Sequence, residues 1–589
     1  MTRRAAGRCA LLAFAAAGLW SPTSSAAAQE SPELAPLAPR TAQSGLPLDP
    51  VRAAMALPAL ALSFTVDPAS RTVAGAAHYI VRATAPLDRL AFDLDPRYAI
   101  AGIAVDGVAL APGDWANPDG LLTLALPRPL TAGEEARVTI RWSGAPHVAR
   151  NPPWDGGITW SHTPERAGGA GKAPWIATAI QGEGCDLLWP CLDHPAKRVG
   201  LLDLAIRVPE PLVAAANGRL VAEEHADGWA TWRWRARNPN NYGVTLQIAP
   251  YELAQDSYAS RYGNTIPLAF WHLPGEAAGA TRLLGELKDV LAFFEQAVGP
   301  YPFADEKAGI AQTPHLGMEH QTINAYGNHF RLSPEGYDWL LHHEFAHEWF
   351  ANQLTHRTEG EMWLHEGLGS YMQPLYLRWK GGDLPYHAAL WDQRKRILAR
   401  VPLVSPDPEA TGDYLDKATG WGNDIYYKGS WIAHTLRETI GDAAFAASLR
   451  RLVYGRDDPA PGNFVPVLRD SAEFQAIVEQ VTGRDMGWFF DTYVRTAALP
   501  RLDVQRDGAT LTMAWHSDAA TPFAMPVEVR IGDRLLVATM EGGRGTIDLG
   551  DAAAPFIIDP GAKILRHDPA IAAWQAQEEA ARAAAPPQG

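Results

Sequence analysis

The segment His343-Glu344-Phe345-Ala346-His347 constrains this chain more than any other. Histidines four residues apart lie one turn apart on the same helix face, so both imidazoles can reach one ion. Glu344 falls beside them, placed to take a proton from a metal-activated water. Eighteen residues separate His347 from Glu366, which lies in Trp363-Leu364-His365-Glu366-Gly367 at the head of a second apolar helical pattern. A carboxylate from that helix completes a two-histidine, one-glutamate set and leaves a fourth position open, as a catalytic zinc site requires. His343, His347 and Glu366 are therefore the expected metal ligands for one Zn2+ per chain, with Glu344 as the catalytic base. The alternative is a helix whose histidines and glutamate face solvent. The apolar run Trp339, Leu340, Phe345, Trp349 and Phe350 argues against it. His342 and His365 are out of register with the ligand face and are expected around the ligands or at the surface.

The flanking sequence divides by pattern. From about 50 to 250, short stretches alternate apolar and polar residues, as in 136–142, 201–208 and 229–237, which predicts strands. The Gly- and Pro-rich stretch 152–173 predicts a long loop. After about 260 the period becomes helical, with Leu283, Leu284, Leu287, Leu291 and Phe294 on one face. Ser333-Pro334-Glu335 predicts an N-cap followed by proline in the first turn of the metal helix. Pro374 is expected to bend the following helix. Asp470 with Glu473 reads as a capping box, and Gly483 as the stop of that helix. Strand patterns return from about 498, and the Ala-, Glu- and Pro-rich end is expected to be frayed.

The N-terminus has the form of an export signal. Arg3, Arg4 and Arg8 precede a short apolar stretch, and Ala26-Ala27-Ala28 offers a small-residue cleavage site before Gln29. The chain is thus expected to be periplasmic or secreted, with no stable membrane span after cleavage. Beyond that signal only Cys185 and Cys191 remain. Their spacing permits a bridge or two buried thiols, and their number excludes cysteine-rich zinc chemistry. A net charge of −15 without Lys/Arg stripes excludes a phosphate-backbone grip, so no nucleic-acid partner is expected.

Two further segments carry a resemblance. Leu316-Gly317-Met318-Glu319-His320 is similar to the G-x-M-E-N segment, and Tyr426-Tyr427-Lys428-Gly429 to the Tyr-x-Lys-Gly segment, of the aminopeptidase N and leukotriene hydrolase family of gluzincins. The motif of His343 to Glu366 has that family's spacing. The resemblance implies an α+β multidomain fold with a β-saddle over 48–255, a thermolysin-like mixed α/β zinc peptidase domain over 256–497 and a small β-sandwich over 498–568. Residues 1–28 would precede these as signal, and 569–589 follow as a flexible tail. It implies a form without the large C-terminal helical domain of many relatives, and so a more open site. It also implies a zinc aminopeptidase acting on peptides with a free N-terminus. Glu319 would bind the substrate ammonium group, Gln181 from Ile180-Gln181-Gly182-Glu183-Gly184 would be the second amine contact ahead of Glu183, and Gly317 and Met318 would line the substrate. Tyr426 would steady the oxyanion, with Tyr427 a one-residue alternative. Leu316 and His320 depart from the family's Gly and Asn. Two rival readings are a secreted zinc endopeptidase on the same domain and a non-catalytic peptide-binding relative.

Overall fold

The computed structural model describes residues 36–165, 172–407, 423–462 and 464–584; the expected signal, 1–28, lies outside them. The first half is built from strands. An eight-stranded sheet runs, in spatial order, through 219–226, 229–237, 199–209, 55–67, 72–83, 135–144, 99–105 and 108–109. Met55–Asp67 pairs in parallel with Val199–Pro209, placing Phe64 opposite Ile206, and antiparallel with Thr72–Ala83. The alternation that predicts a strand at 136–142 is realised in Glu135–Gly144. There Ala136, Val138, Ile140 and Trp142 are buried, while Glu135, Arg137 and Arg141 are exposed. A four-stranded sheet holds 213–215, 247–249, 174–179 and 157–162. Its last strand corrects the reading of 152–173 as one loop: Gly157–His162 pairs with Pro174–Ala179, so the glycines and prolines bracket a strand. Cys185 and Cys191 are joined in a disulfide.

A five-stranded sheet follows, in the order 252–259, 265–272, 308–312, 324–326 and 317–318, with Gly317–Met318 at its edge. Helix α1 (Ala277–Ala297) buries Leu283, Leu284, Leu287, Leu291 and Phe294, the face its period predicts. Helix α2 (Trp339–Trp349) carries the segment from His343 to His347, and α3 (Trp363–Gly381) runs unbroken through Pro374. Phe294 of α1 stacks on Trp349 of α2 with ring centres 4.5 Å apart, fixing α2 from behind. Helix α4 (Gly429–Ile440) crosses α3, and α5 (Ser471–Thr482) has both hydrogen bonds of the capping box between Asp470 and Glu473. Gly483 ends α5 in the left-handed conformation.

Two further expectations are corrected. Ser333-Pro334-Glu335 does not start α2. It forms a turn in which the Gly336 N–H donates to Ser333 O at 2.9 Å, and Gly336 has φ +81°, which breaks any helical run. The cap is Asp338, whose carboxylate accepts from the Leu341 N–H. The chain end is not loose over 569–584, because Pro569–Ala584 forms helix α6. Asp568 accepts from the Ala570 N–H in front of Pro569, and Gln575 Nε2 donates to Lys395 O and Ile397 O at 2.9 and 2.8 Å.

Two C-terminal three-stranded sheets, 501–507/510–516/544–548 and 534–538/527–531/557–558, complete the architecture. Their inward residues Leu511, Met513, Val527 and Val529 belong to the same buried apolar cluster as Phe345, Trp363 and Leu436. Among the described residues no helix is long and apolar enough to cross a membrane. Because Phe294 is fully buried, Phe294→Ala should cost about 3–5 kcal/mol. The urea midpoint should fall with the slope unchanged; a loss under about 1 kcal/mol would contradict a packed α1–α2 contact.

Candidate metal centre

Asp338 sets the start of α2, and that phase turns His343 and His347 to one side. Glu366, in the first turn of α3, meets them. His343 Nε2 and His347 Nε2 are 3.4 Å apart, and Glu366 Oε2 lies 3.6 Å from the first and 3.4 Å from the second. Ligands about 2.0–2.1 Å from zinc at tetrahedral angles stand about 3.3–3.4 Å from one another, so the triangle has the size such an ion needs. Glu366 Oε2 is buried without a properly directed hydrogen-bond donor, an orphan that a cation satisfies. His347 Nδ1 lies 3.1 Å from Phe350 O, which holds its Nε2 toward the centre. Cys185, Cys191 and Asp193 form a second potential ligand cluster among the described residues, but its sulfurs are consumed in the disulfide.

The charge balance agrees. Burial, and then repulsion from Glu319, pushes the Glu344 carboxyl well above its ordinary range. Burial also raises Glu319. Burial opposes a charge on His347, but Glu366 and Glu319 outweigh it and lift the imidazole to about 10. Burial and the neighbouring His347 lower His343 to about 4. Three buried carboxyls thus face a single readily protonated histidine, and a divalent ion would supply the missing positive charge.

Glu344 lies against the edge strand. A Cβ added to Gly317 would come within 2.3 Å of Glu344 Oε1, so a side chain there would displace the Glu344 carboxylate from its place. Two residues on, Glu319 is buried, and its Oε1 accepts from Gln181 Nε2 and from the Tyr242 hydroxyl, each at 3.0 Å. Met318 is packed among Ala179, Tyr242 and Ala325, so its backbone rather than its side chain can face a ligand. Glu183 instead accepts from the Gly156 N–H, which clasps its loop to the one before.

A second close approach brings Tyr426 in. A Cβ on Gly429 would lie 2.7 Å from Gly367 Cα, and one on Gly367 would lie 2.8 Å from Gly429 Cα. The π-helical turn Asp424–Lys428 that leads into α4 therefore packs directly on the first turn of α3. There the Tyr426 ring centre is 6.2 Å from that of His343. The Tyr427 hydroxyl accepts from Arg396 Nη1 at 3.2 Å, and its ring lies under the same guanidinium.

Neither histidine next to the ligands is at the surface. His342 is fully buried among Phe293, Phe294, Tyr337 and Tyr376, and His365 is buried against His356, whose Nδ1 is 3.1 Å from His365 Nε2. Of the two expected places, around the ligands or at the surface, burial of α2 and of the first turns of α3 leaves only the first. His320 is also fully buried, and Leu316 is half-buried. Tyr242 and Asn352, whose Nδ2 donates to Glu319 O at 3.0 Å, were not singled out beforehand. Tyr242 sits in Asn240-Asn241-Tyr242-Gly243, which has no local pattern beyond a turn.

Residues 317–493 match the profile of the peptidase family M1 domain. This segment is a peptidase M1 domain. Gln181 and Tyr242 reach the M1 centre from outside it. The aminopeptidase B of Rattus norvegicus is 25% identical over 258 residues, covering 43% of this chain and 36% of its own. The aminopeptidase N of Caulobacter vibrioides is 25% identical over 305 residues, covering 49% and 34%. The chain thus spans about a third of the length of these two relatives. An M1 zinc metallopeptidase of Deinococcus radiodurans bound to a Tyr-Ser-Ala substrate has a TM-score of 0.62 at 23% identity, covering 76% of this chain and 95% of its own. A two-domain M1 zinc metallopeptidase bound to L-tryptophan gives 0.64 at 23% identity, covering 78% and 98%. The α+β multidomain fold is shared with both.

Removing a ligand should empty the M1 centre. Glu366→Ala and His347→Ala should each lose their divalent metal on dialysis while the unaltered protein keeps it, as read by plasma mass spectrometry. Equal retention in all three would show that the ion is held elsewhere.

Proposed function

We propose that this chain is an exported zinc aminopeptidase, holding one Zn2+ on His343, His347 and Glu366 and hydrolysing the first peptide bond of peptides with a free N-terminus. The observation that carries the reading is Glu319. This buried carboxylate is met by the neutral donors Gln181 and Tyr242 and, among the described residues, by no lysine or arginine. The His347 imidazole meets its charge only in part, because Glu366 claims the same cation, and a substrate ammonium group can supply the missing charge through a charge-assisted hydrogen bond. A mid-chain amide or an acetylated terminus cannot.

The residues divide the work as follows. When bound, zinc supplies the Lewis acidity that acidifies a water and polarises a carbonyl. Glu344, against Gly317, takes the proton from that water and later delivers it to the departing amine. The Tyr426 hydroxyl donates to the oxygen that becomes negative in the tetrahedral intermediate. Glu319 and Gln181 fix the first residue, and the edge strand Gly317–Met318 offers its backbone to an extended peptide. Support also comes from the Deinococcus relative, whose bound substrate is a tripeptide. The division into 48–255, 256–497 and 498–568 would bring Gln181 and the ligands from different domains to one cleft. Export is supported by Arg3, Arg4 and Arg8 ahead of the apolar stretch and by the Cys185–Cys191 bridge, which suits an oxidising compartment.

Amino-acid anilides, free and N-acetylated, test this. Free substrates should turn over, acetylated ones should not, and a chelator should abolish the rate. Comparable hydrolysis of both would favour an endopeptidase, and turnover of neither a non-catalytic relative. Glu344→Gln should lower kcat by about a thousandfold with zinc retained. Tyr426→Phe should lower kcat by about a hundredfold or more, whereas Tyr427→Phe should stay near the unaltered rate. The opposite order would move the oxyanion role to Tyr427.

A further inference from the structure

The two donors on Glu319 are not equivalent in origin. Gln181 lies on the loop that the resemblance singles out, whereas Tyr242 is anticipated by no motif, and both donate to the same oxygen, Oε1. Tyr242 is held there by an unusually complete scaffold. Its turn closes with the Gly243 N–H donating to Asn240 O at 3.0 Å. Asn241 Nδ2 donates to Leu192 O and Lys197 O at 2.7 and 2.6 Å. Asn217 then ties this turn to the Glu319 loop: its Nδ2 donates to Gly243 O at 2.7 Å and Gln321 O at 2.8 Å, and its Oδ1 accepts from the Thr245 N–H. From the other side, Asn352 donates to Glu319 O. The Tyr242 ring packs on Ala179, Met318 and Ala325. Hydroxyl and carboxylate are therefore fixed relative to each other before any substrate arrives.

We propose that Tyr242 is a positioning residue for the substrate's N-terminal amine, acting through Glu319. With Gln181 it pins Oε1 and so directs the remaining oxygen, Oε2, at the incoming ammonium group. The inference rests on the aminopeptidase reading. Its logic lies in the choice of donor. A lysine or arginine at this place would orient the carboxylate but cancel the charge that the ammonium needs; a phenol and an amide orient it and leave the charge intact. Burial, then the charge of Glu319, holds the Tyr242 hydroxyl well above its ordinary range, so it stays a donor. Without it, Glu319 keeps its place but gains freedom about its last torsion, and its buried charge loses one of two hydrogen bonds. Because the hydroxyl touches no reacting atom, the loss should fall on binding rather than on the chemical step.

Zinc-loaded unaltered protein and Tyr242→Phe are compared with leucine p-nitroanilide as substrate and with leucinamide and N-acetyl-leucinamide as competitors. Losing a hydrogen bond to a charged group predicts a KM higher by about tenfold or more. kcat should stay within about threefold, as expected for an interaction made equally in ground and transition states. The inhibition constant of leucinamide should rise in parallel, and that of N-acetyl-leucinamide should not change. A merely structural role would instead lower the melting temperature or zinc content and weaken both competitors alike. Gln181→Leu, which removes the other donor on the same oxygen, should shift KM in the same direction and guards against a folding failure of Tyr242→Phe. Unchanged KM in Tyr242→Phe, or a fall in kcat at constant KM, would overturn the assignment. If the unaltered protein itself fails to distinguish leucinamide from its acetylated form, the aminopeptidase reading fails and takes this inference with it. If it does distinguish them and Tyr242→Phe behaves identically, only the role of Tyr242 is lost.

Discussion

The site depends on one convergence: Glu366 Oε2 faces two imidazole nitrogens across a gap the size of a metal ion. Neither helix achieves this alone. Helix α2 supplies two ligands because residues four apart share a face, and α3 supplies the third only if its first turn is brought within a few ångströms. The packing behind the ligands enforces that approach. Phe294 and Trp349 stack at the back of α2, and the core that holds α3 continues into the C-terminal sheets. A rigid, fully buried scaffold is what keeps three mutually repelling or poorly solvated groups at a fixed separation.

Glycines determine how closely the remaining groups come to that point. Gly317 leaves room for the Glu344 carboxylate, and the Gly367–Gly429 contact lets the turn bearing Tyr426 rest on the helix bearing Glu366. The second is a backbone-to-backbone contact that a single methyl group would block, whereas at Gly317 a methyl group would meet the Glu344 and Leu340 side chains. The Glu319 carboxylate is tied differently, through hydrogen bonds that Gln181 and Tyr242 bring to it from the first half of the chain, while Asn352, within the M1 segment, holds its backbone carbonyl.

Much of this was legible before the structure, and for identifiable reasons. The spacing of His343, Glu344, His347 and Glu366 maps directly onto helix geometry, and the three candidate ligands meet as that spacing predicts, while Glu319 and Gln181, singled out by resemblance, are hydrogen-bonded to each other. The capping box of Asp470 and Glu473 is equally local. What failed was non-local or competing. Ser333-Pro334 carries a helix-start signal, but Gly336 and Asp338, three and five residues after Ser333, override it. His342 and His365, off the ligand face by period, could lie around the ligands or at the surface, and burial of their helical turns decides against the surface. Tyr242 was invisible because its importance comes from a contact with a residue 77 positions away. The helix Pro569–Ala584 was hidden by composition, although Asp568-Pro569 is a start signal in its own right.

The most direct measurement is zinc K-edge X-ray absorption on the purified protein. A centre built by α2 and α3 predicts two imidazoles and one carboxylate at about 2.0–2.1 Å, with a single exchangeable oxygen completing four-coordination. Sulfur scatterers, or four protein ligands with no exchangeable position, would contradict it.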